Sequence, residues 1–196
     1  MTSFFWLIYC MRRKIVGEKI EWNEIGKETL LKTRVMDVCQ TTSVSPDGRE
    51  GKFIVNDAPD WVIVIAELDG NFLMVRQWRH GEKGISTEFP GGVIDEGETP
   101  EMAARRELKE ETGFEAGTLT YLGKMNPNPA LFRNHSHFFA ATDLIPTGKQ
   151  NLDDDEFVEY MQIPKDEVIR KMGSEEYPHA LMAAALMKYM AANGNR

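Results

Sequence analysis

Cysteine is almost absent from this chain of 196 residues, which has only Cys10 and Cys39, in neither a metal-like nor a Cys-x-x-Cys spacing. That excludes a disulfide framework and a cysteine-held metal centre, and it points to a reducing compartment, most simply the cytoplasm. Long apolar runs are missing as well. The opening stretch Phe4–Cys10, followed by Arg12, Arg13 and Lys14, is apolar for only seven residues, whereas a bilayer takes about 20. Its charge follows the apolar run, the reverse of a secretion signal. It reads as an edge strand, a packed arm, a dimer-forming arm, or sequence upstream of a start at Met11. Positive charge is in deficit too: 31 Asp and Glu against 23 Lys and Arg leave a formal charge of -8. Such a surface repels polyanions, which argues against nucleic-acid and anionic-membrane partners. A small anionic substrate remains compatible if cations bridge it.

What is present is ordinary globular material, 42% hydrophobic and 28% charged, enough for a real core. The β-rich runs Val38–Thr42 and Lys52–Val55 flank Ser45-Pro46-Asp47-Gly48 and predict a hairpin. The run Trp61–Ala66 turns at Leu68-Asp69-Gly70-Asn71 into Phe72–Trp78, predicting a second hairpin near the core. Thr99 as N-cap, Pro100 at the first helical position and Gly113 just past the end predict a helix between them. Strands are expected at Leu119–Lys124, His137–Ala141 and Phe157–Ile163, and a last helix at about His179–Ala192, buried against the sheet or a partner subunit. No repeat or linker splits the chain. Residues 1–58 are expected to form a β-rich arm or subdomain, and 59–196 the main domain. His135 and His137 alternate at a strand entry with no metal spacing; loop or packing roles are expected, and no functional role is assigned to them.

Within the predicted helix, Glu107, Glu110 and Glu111 stand at i, i+3 and i+4, on one face. Neighbouring carboxylates repel one another, so the arrangement suits a hard cation, Mg²⁺ or Mn²⁺. Arg106, four residues before Glu110, can hold a carboxylate in place, and Glu98 can reach in from the preceding loop. Taken alone, Arg105–Glu111 is an ordinary solvated helix face. Its flanks change that.

Gly92, five residues, Glu98, seven residues, then Arg106-Glu107-Leu108-Lys109-Glu110-Glu111-Thr112-Gly113-Phe114 resembles the complete box of the Nudix hydrolases at every defining position. The resemblance implies an α/β (α+β) fold: an α/β/α sandwich with a mixed sheet, here with an N-terminal antiparallel β-rich region. It further implies Mg²⁺- or Mn²⁺-dependent attack of water on a diphosphate linkage. The implied metal ligands are Glu107, Glu110, Glu111 and the Gly91 carbonyl, with Glu98 beside them. Arg106 would preorganise the carboxylates, and Glu110 would serve in catalysis.

Pro129, sixteen residues after Gly113, resembles the proline that marks ADP-ribose pyrophosphatases within that family, although Asn126-Pro127-Asn128-Pro129 also reads as a plain stiff loop. Val75–His80, Glu88–Gly92 and Glu156–Glu159 are similar to segments of ADP-sugar pyrophosphatases. Two departures stand: that group more often has Ala at Gly91, and Gly at Ala130. The resemblance implies hydrolysis of ADP-ribose to AMP and ribose 5-phosphate, with GDP-mannose, another nucleoside diphosphate-linked compound, or a non-catalytic nucleotide sensor as alternatives. Arg79 and Glu88 are candidate substrate-binding residues, Arg79 being either a fork for the diphosphate or a surface residue. Phe53 or Trp22 either stacks on the base or fills a core. Glu156, closing the acidic run Asp153–Glu156, matches the loop that supplies a catalytic base in ADP-ribose pyrophosphatases, and it reads equally as part of a solvated loop. The resemblance also implies a homodimer.

Overall fold

The computed structural model describes residues 20–152 and 156–194; the opening apolar stretch, Cys10 and Asp153–Asp155 lie outside them. The chain divides into two compact units, 1–57 and 58–196. No helix among the described residues is long and apolar enough to cross a membrane.

The first unit holds a three-stranded antiparallel sheet, β1 (Asn23–Lys32), β2 (Asp37–Val44) and β3 (Glu50–Asp57), in the order β1-β2-β3. β2 and β3 form the expected hairpin, closed where Ser45 Oγ accepts the Arg49 amide at 3.0 Å and Gly48 takes a positive φ of 87°. The central strand buries Cys39, Thr41 and Ser43, while β1 is exposed along its whole length. The third strand, β1, was not read from the sequence.

The second unit is a sandwich. Its six-stranded sheet comprises β4 (Trp61–Leu68), β5 (Asn71–Arg79), β6 (Gly84–Glu88), β8 (Thr118–Met125), β9 (Ser136–Thr142) and β11 (Glu159–Pro164). The order is β11-β5-β4-β9-β8, with β6 on β5. Asp69 and Gly70 turn β4 into β5 with φ of 49° and 82°, the two positive values that a tight hairpin requires. Only glycine takes such values without strain, and an Asp tolerates them better than most. β7 (Phe114–Glu115) and β10 (Ile145–Pro146) form a separate ribbon. β4 and β9 run parallel, so the chain between them must cross over, and the crossover carries helix α1 (Pro100–Thr112). Two more helices follow, α2 (Lys165–Lys171) and α3 (Ala180–Asn193).

The unbroken apolar run of β4 now has its reason. Val62, Val64 and Ala66 face α1 through Ala103, Ala104 and Leu108, while Ile63 and Ile65 face α3 through Met182, Ala185 and Leu186. A strand covered on both faces cannot alternate. Each fully buried aliphatic side chain contributes about 1.5–3 kcal/mol relative to exposure. In this unit the last strand begins at Glu159 rather than Phe157, and β6, the ribbon of β7 and β10, and α2 were not foreseen. α2 carries Asp166 and Glu167 in its first turn and Arg170 and Lys171 in its last, the charge order that complements a helix dipole. With seven residues it shows too little apolar periodicity to stand out.

Candidate active site

Helix α1 is set by its ends. Thr99 Oγ1 accepts the Met102 amide at 3.2 Å, Pro100 opens the first turn, and Gly113 closes the last at φ 73°, its amide on the Lys109 carbonyl at 2.8 Å. Packing Ala103, Ala104 and Leu108 onto β4 fixes the rotation of the helix and carries Glu111 inward, to 4% exposure. The segment Pro90-Gly91-Gly92 runs along β4, whose Val64 and Val62 amides donate to the Pro90 and Gly92 carbonyls at 2.8 and 2.9 Å. Between those bonds the Gly91 amide turns the other way and donates to Glu111 Oε2 at 2.8 Å. The approach is so close that a Cβ on Gly91 would overlap the Val62 carbonyl, and one on Gly92 would overlap the Glu107 carboxylate. Alanine, more frequent at this position in the resembled group, does not fit here without a backbone shift.

Arg106 is the organising cation. Its Nε and Nη2 fork Glu98 at 2.9 and 2.8 Å; Nη1 donates to Glu107 at 2.8 Å and Glu110 at 3.1 Å; Nη2 also reaches the Val93 carbonyl at 3.0 Å. Asp95 lies 3.6 Å away. One guanidinium thus faces four carboxylates, where the sequence suggested one or two. The hydrogen bonds from Arg106 hold Glu98 below the usual carboxylate range. Glu107 goes the opposite way, pushed up to about 7 by burial, with Glu110 and Glu156 adding repulsion that Arg106 only partly offsets. Burial pushes Glu111 further, to about 8, against the Gly91 amide, with Glu107 and Glu156 again raising it. Glu156 is exposed, yet it lies within electrostatic reach of Glu107, Glu111 and Arg79.

Arg79 and Glu88 meet across the β5–β6 pairing. The guanidinium forks the carboxylate, Nε to Oε1 at 2.8 Å and Nη2 to Oε2 at 2.5 Å, with Glu88 only 1% exposed. Burial would raise the Glu88 carboxyl, but the hydrogen bonds and charge of Arg79 outweigh it and leave the group below its ordinary range. Part of the Arg79 fork is therefore already engaged. His179, the N-cap of α3, lies near this pair, and burial lowers it from its usual value.

Pro129 sits in a turn shaped from within, Asn126 Oδ1 accepting the Asn128 amide at 2.9 Å and Asn128 Oδ1 the Ala130 amide at 3.2 Å. Phe53 belongs to the first unit, its ring edge-on to Trp22 at 5.2 Å. His137 is held between Asp60 at 3.0 Å and the Tyr121 hydroxyl at 3.2 Å. Two residues escaped the sequence reading. Asp95 could have been noticed as an acid three positions before Glu98; Gln150, whose side chain reaches the Glu111 carbonyl, gave no signal at all.

Glu107, Glu110 and Glu111 offer only oxygen donors, the kind that Mg²⁺ or Mn²⁺ takes. Among the described residues no three acidic or histidine side chains converge on one point at ligand distance, because Glu107 and Glu110 turn to Arg106 and Glu111 to the Gly91 amide. Ligation by all three requires side-chain rotations. The charge balance favours them: Arg106 is shared among four carboxylates, and buried Glu111 accepts a neutral amide, with the charge of Arg79 the smallest of the influences on it. The donor set fits a divalent cation.

The family model described as NUDIX domain matches residues 57–183. The chain is 33% identical over 171 residues to an ADP-ribose pyrophosphatase of Bacillus subtilis (strain 168), covering 86% of this chain and 92% of that one. It is 31% identical over 159 residues to a methanol dehydrogenase activator of Bacillus methanolicus, covering 79% and 85%. A crystal structure of an ADP compounds hydrolase shares the fold, with a TM-score of 0.78 at 24% identity over 90% of this chain and 97% of that one.

Proposed function

Because the chain belongs to the Nudix family of pyrophosphohydrolases, we propose that it cleaves the diphosphate linkage of a nucleoside diphosphate-sugar, ADP-ribose foremost, adding water to give AMP and ribose 5-phosphate. The observation that carries this reading is Glu107 against Gly92 and Glu111 against Gly91, with Glu110 next to them on Arg106 and two of the carboxyls pushed up to about 7 and about 8. Similarity to an ADP-ribose pyrophosphatase along most of both chains supports the substrate class.

In this reading Glu107, Glu110, Glu111 and the Gly91 carbonyl hold Mg²⁺ or Mn²⁺, with Glu98 next to them. When bound, the cation neutralises phosphate oxygens and acidifies a water. Arg106 gathers Glu98, Glu107 and Glu110 through four hydrogen bonds and anchors itself on the Val93 carbonyl with a fifth, so the carboxylates stand together before they turn to the cation. Glu156 accepts the proton of the attacking water, and its place in the field of Glu107 and Glu111 supports that role. Glu88 fixes Arg79, whose partly exposed guanidinium faces the substrate diphosphate. Pro129 stiffens a loop that contacts the substrate. The same reading makes the protein a cytoplasmic homodimer. Ile25, Leu30, Leu31 and Ile54 of the first unit are exposed, which supports a covered surface in the assembly. Light scattering on the full chain tests this, and a monomer at micromolar concentration would discard it.

The deciding experiment is a substrate panel with Mg²⁺: ADP-ribose, GDP-mannose, diadenosine polyphosphates, NADH and deoxynucleotides, with products identified by mass. The expected outcome is at least a tenfold higher kcat/KM for ADP-ribose, about 1.4 kcal/mol of transition-state preference. Equal or better hydrolysis of another member moves the assignment to that member. Binding without turnover of any of them identifies a sensor instead.

A further inference from the structure

The last turn of α1 ends in carbonyls with no partner inside the helix, and one segment, residues 147–151, satisfies two of them and the carbonyl of Gly113 just beyond. Thr147 donates from its amide and its hydroxyl to the Gly113 carbonyl, both at 2.8 Å. The Asn151 amide donates to the Glu110 carbonyl at 2.9 Å, and Gln150 Nε2 to the Glu111 carbonyl at 2.5 Å. The segment runs so close that a Cβ on Gly113 would stand 3.0 Å from the Lys149 backbone. A helix cap needs no more than this. Gln150 makes a further bond: the same Nε2 donates to the Val158 carbonyl at 3.2 Å. One carboxamide, with its two hydrogens, therefore ties the helix of Glu107, Glu110 and Glu111 to both feet of the stretch that carries Glu156.

We infer that Gln150 is a positioning residue, holding Glu156 in register with the carboxylates of α1. The inference rests on the reading of Glu156 as the proton acceptor. Val158 lies two residues beyond Glu156, and two residues span at most about 7 Å. Fixing the Val158 carbonyl to α1 therefore limits how far the Glu156 backbone can stray from the site. Without the amide the Val158 foot loses this tie to α1, while the Asn151 amide keeps its bond to the Glu110 carbonyl and the carboxylates of α1 keep their own partners, Arg106 and the Gly91 amide.

The test uses the full chain with Mg²⁺ and ADP-ribose, comparing Gln150→Ala and Gln150→Met, each alone and combined with Glu156→Gln. Methionine keeps the side-chain length and removes the donor, so it serves if the alanine variant does not fold. The expected result is a kcat at least tenfold lower with KM within about threefold, an unchanged Mg²⁺-induced shift in Tm, and a double variant no slower than Glu156→Gln alone, since coupled residues do not add. Additive losses in the double variant overturn the inference, as does an unchanged kcat in both single variants. So does a loss of folding in both, which makes Gln150 a cap and nothing more. If Glu156→Gln alone keeps the parent kcat, the proton-acceptor reading fails in its own right and the role of Gln150 falls with it.

Discussion

Glu88 and Glu111 are buried almost equally, at 1% and 4% exposure, yet their carboxyls move in opposite directions: Glu88 below its ordinary range, Glu111 up to about 8. Burial raises both. The difference lies in what answers it. Glu88 receives a whole arginine fork, whereas Glu111 receives one neutral amide and sits beside Glu107, with Arg106 occupied by other carboxylates. A protein that stabilises one buried carboxylate fully and leaves another in deficit has built two kinds of place. The first is complete as folded; the second keeps a charge deficit that the proposed cation would answer.

The sharpest way to break this contrast is Glu111→Gln. Turnover should fall 10²–10³-fold, about 2.7–4 kcal/mol, while the metal-free protein melts no lower than the parent, because the substitution removes a charge that burial penalises. A metal-free Tm several degrees lower would show that the Glu111 charge is already satisfied. Arg79→Ala is the mirror experiment and should act on stability first. It strands the Glu88 charge, and unfolding in urea should show a loss of about 2 kcal/mol, less than the 3–5 kcal/mol of a fully buried pair because Arg79 is partly exposed. The smallest effect is expected from pH. For Glu107 and Glu111 the folded carboxyls lie above their unfolded value of 4.5, so their contribution to stability is complete below about pH 4.5 and lost as pH rises to about 8. Glu88 is depressed, so its contribution stands above that value and fades as pH falls below it. The metal-free protein should therefore lose Tm between pH 5 and 8, and Mg²⁺ should raise Tm more at pH 8 than at pH 6. A Mg²⁺ shift independent of pH would break the link between those carboxyls and the metal.

Most of what could be read from the sequence alone was local. Thr99, Pro100 and Gly113 mark α1 because caps and first-turn prolines act within four residues, and the three glutamates follow from helical periodicity. β4 announced itself by an apolar run that two covering layers demand. Less could be read of β6, Gly84–Glu88, because Gly-Ile-Ser-Thr-Glu forms a strand only once β5 is beside it. The same dependence hid the fork between Arg79 and Glu88, nine residues apart. The bond from the Gly91 amide to Glu111 spans twenty residues, and that from Gln150 to the Glu111 carbonyl thirty-nine. Composition and spacing carry no trace of such partners, which exist only after the layers close.

The parallel pair β4 and β9 sets the order in which this molecule can become active. Its register brings Asp60 beside His135, seventy-five positions apart, and α1 lies in the intervening crossover. Helix formation is fast, but closing so large a loop is slow and comes before any neighbouring contact can reward it. After dilution from denaturant, helical signal should return well before hydrolysis does, and the delay should track the joining of those two strands.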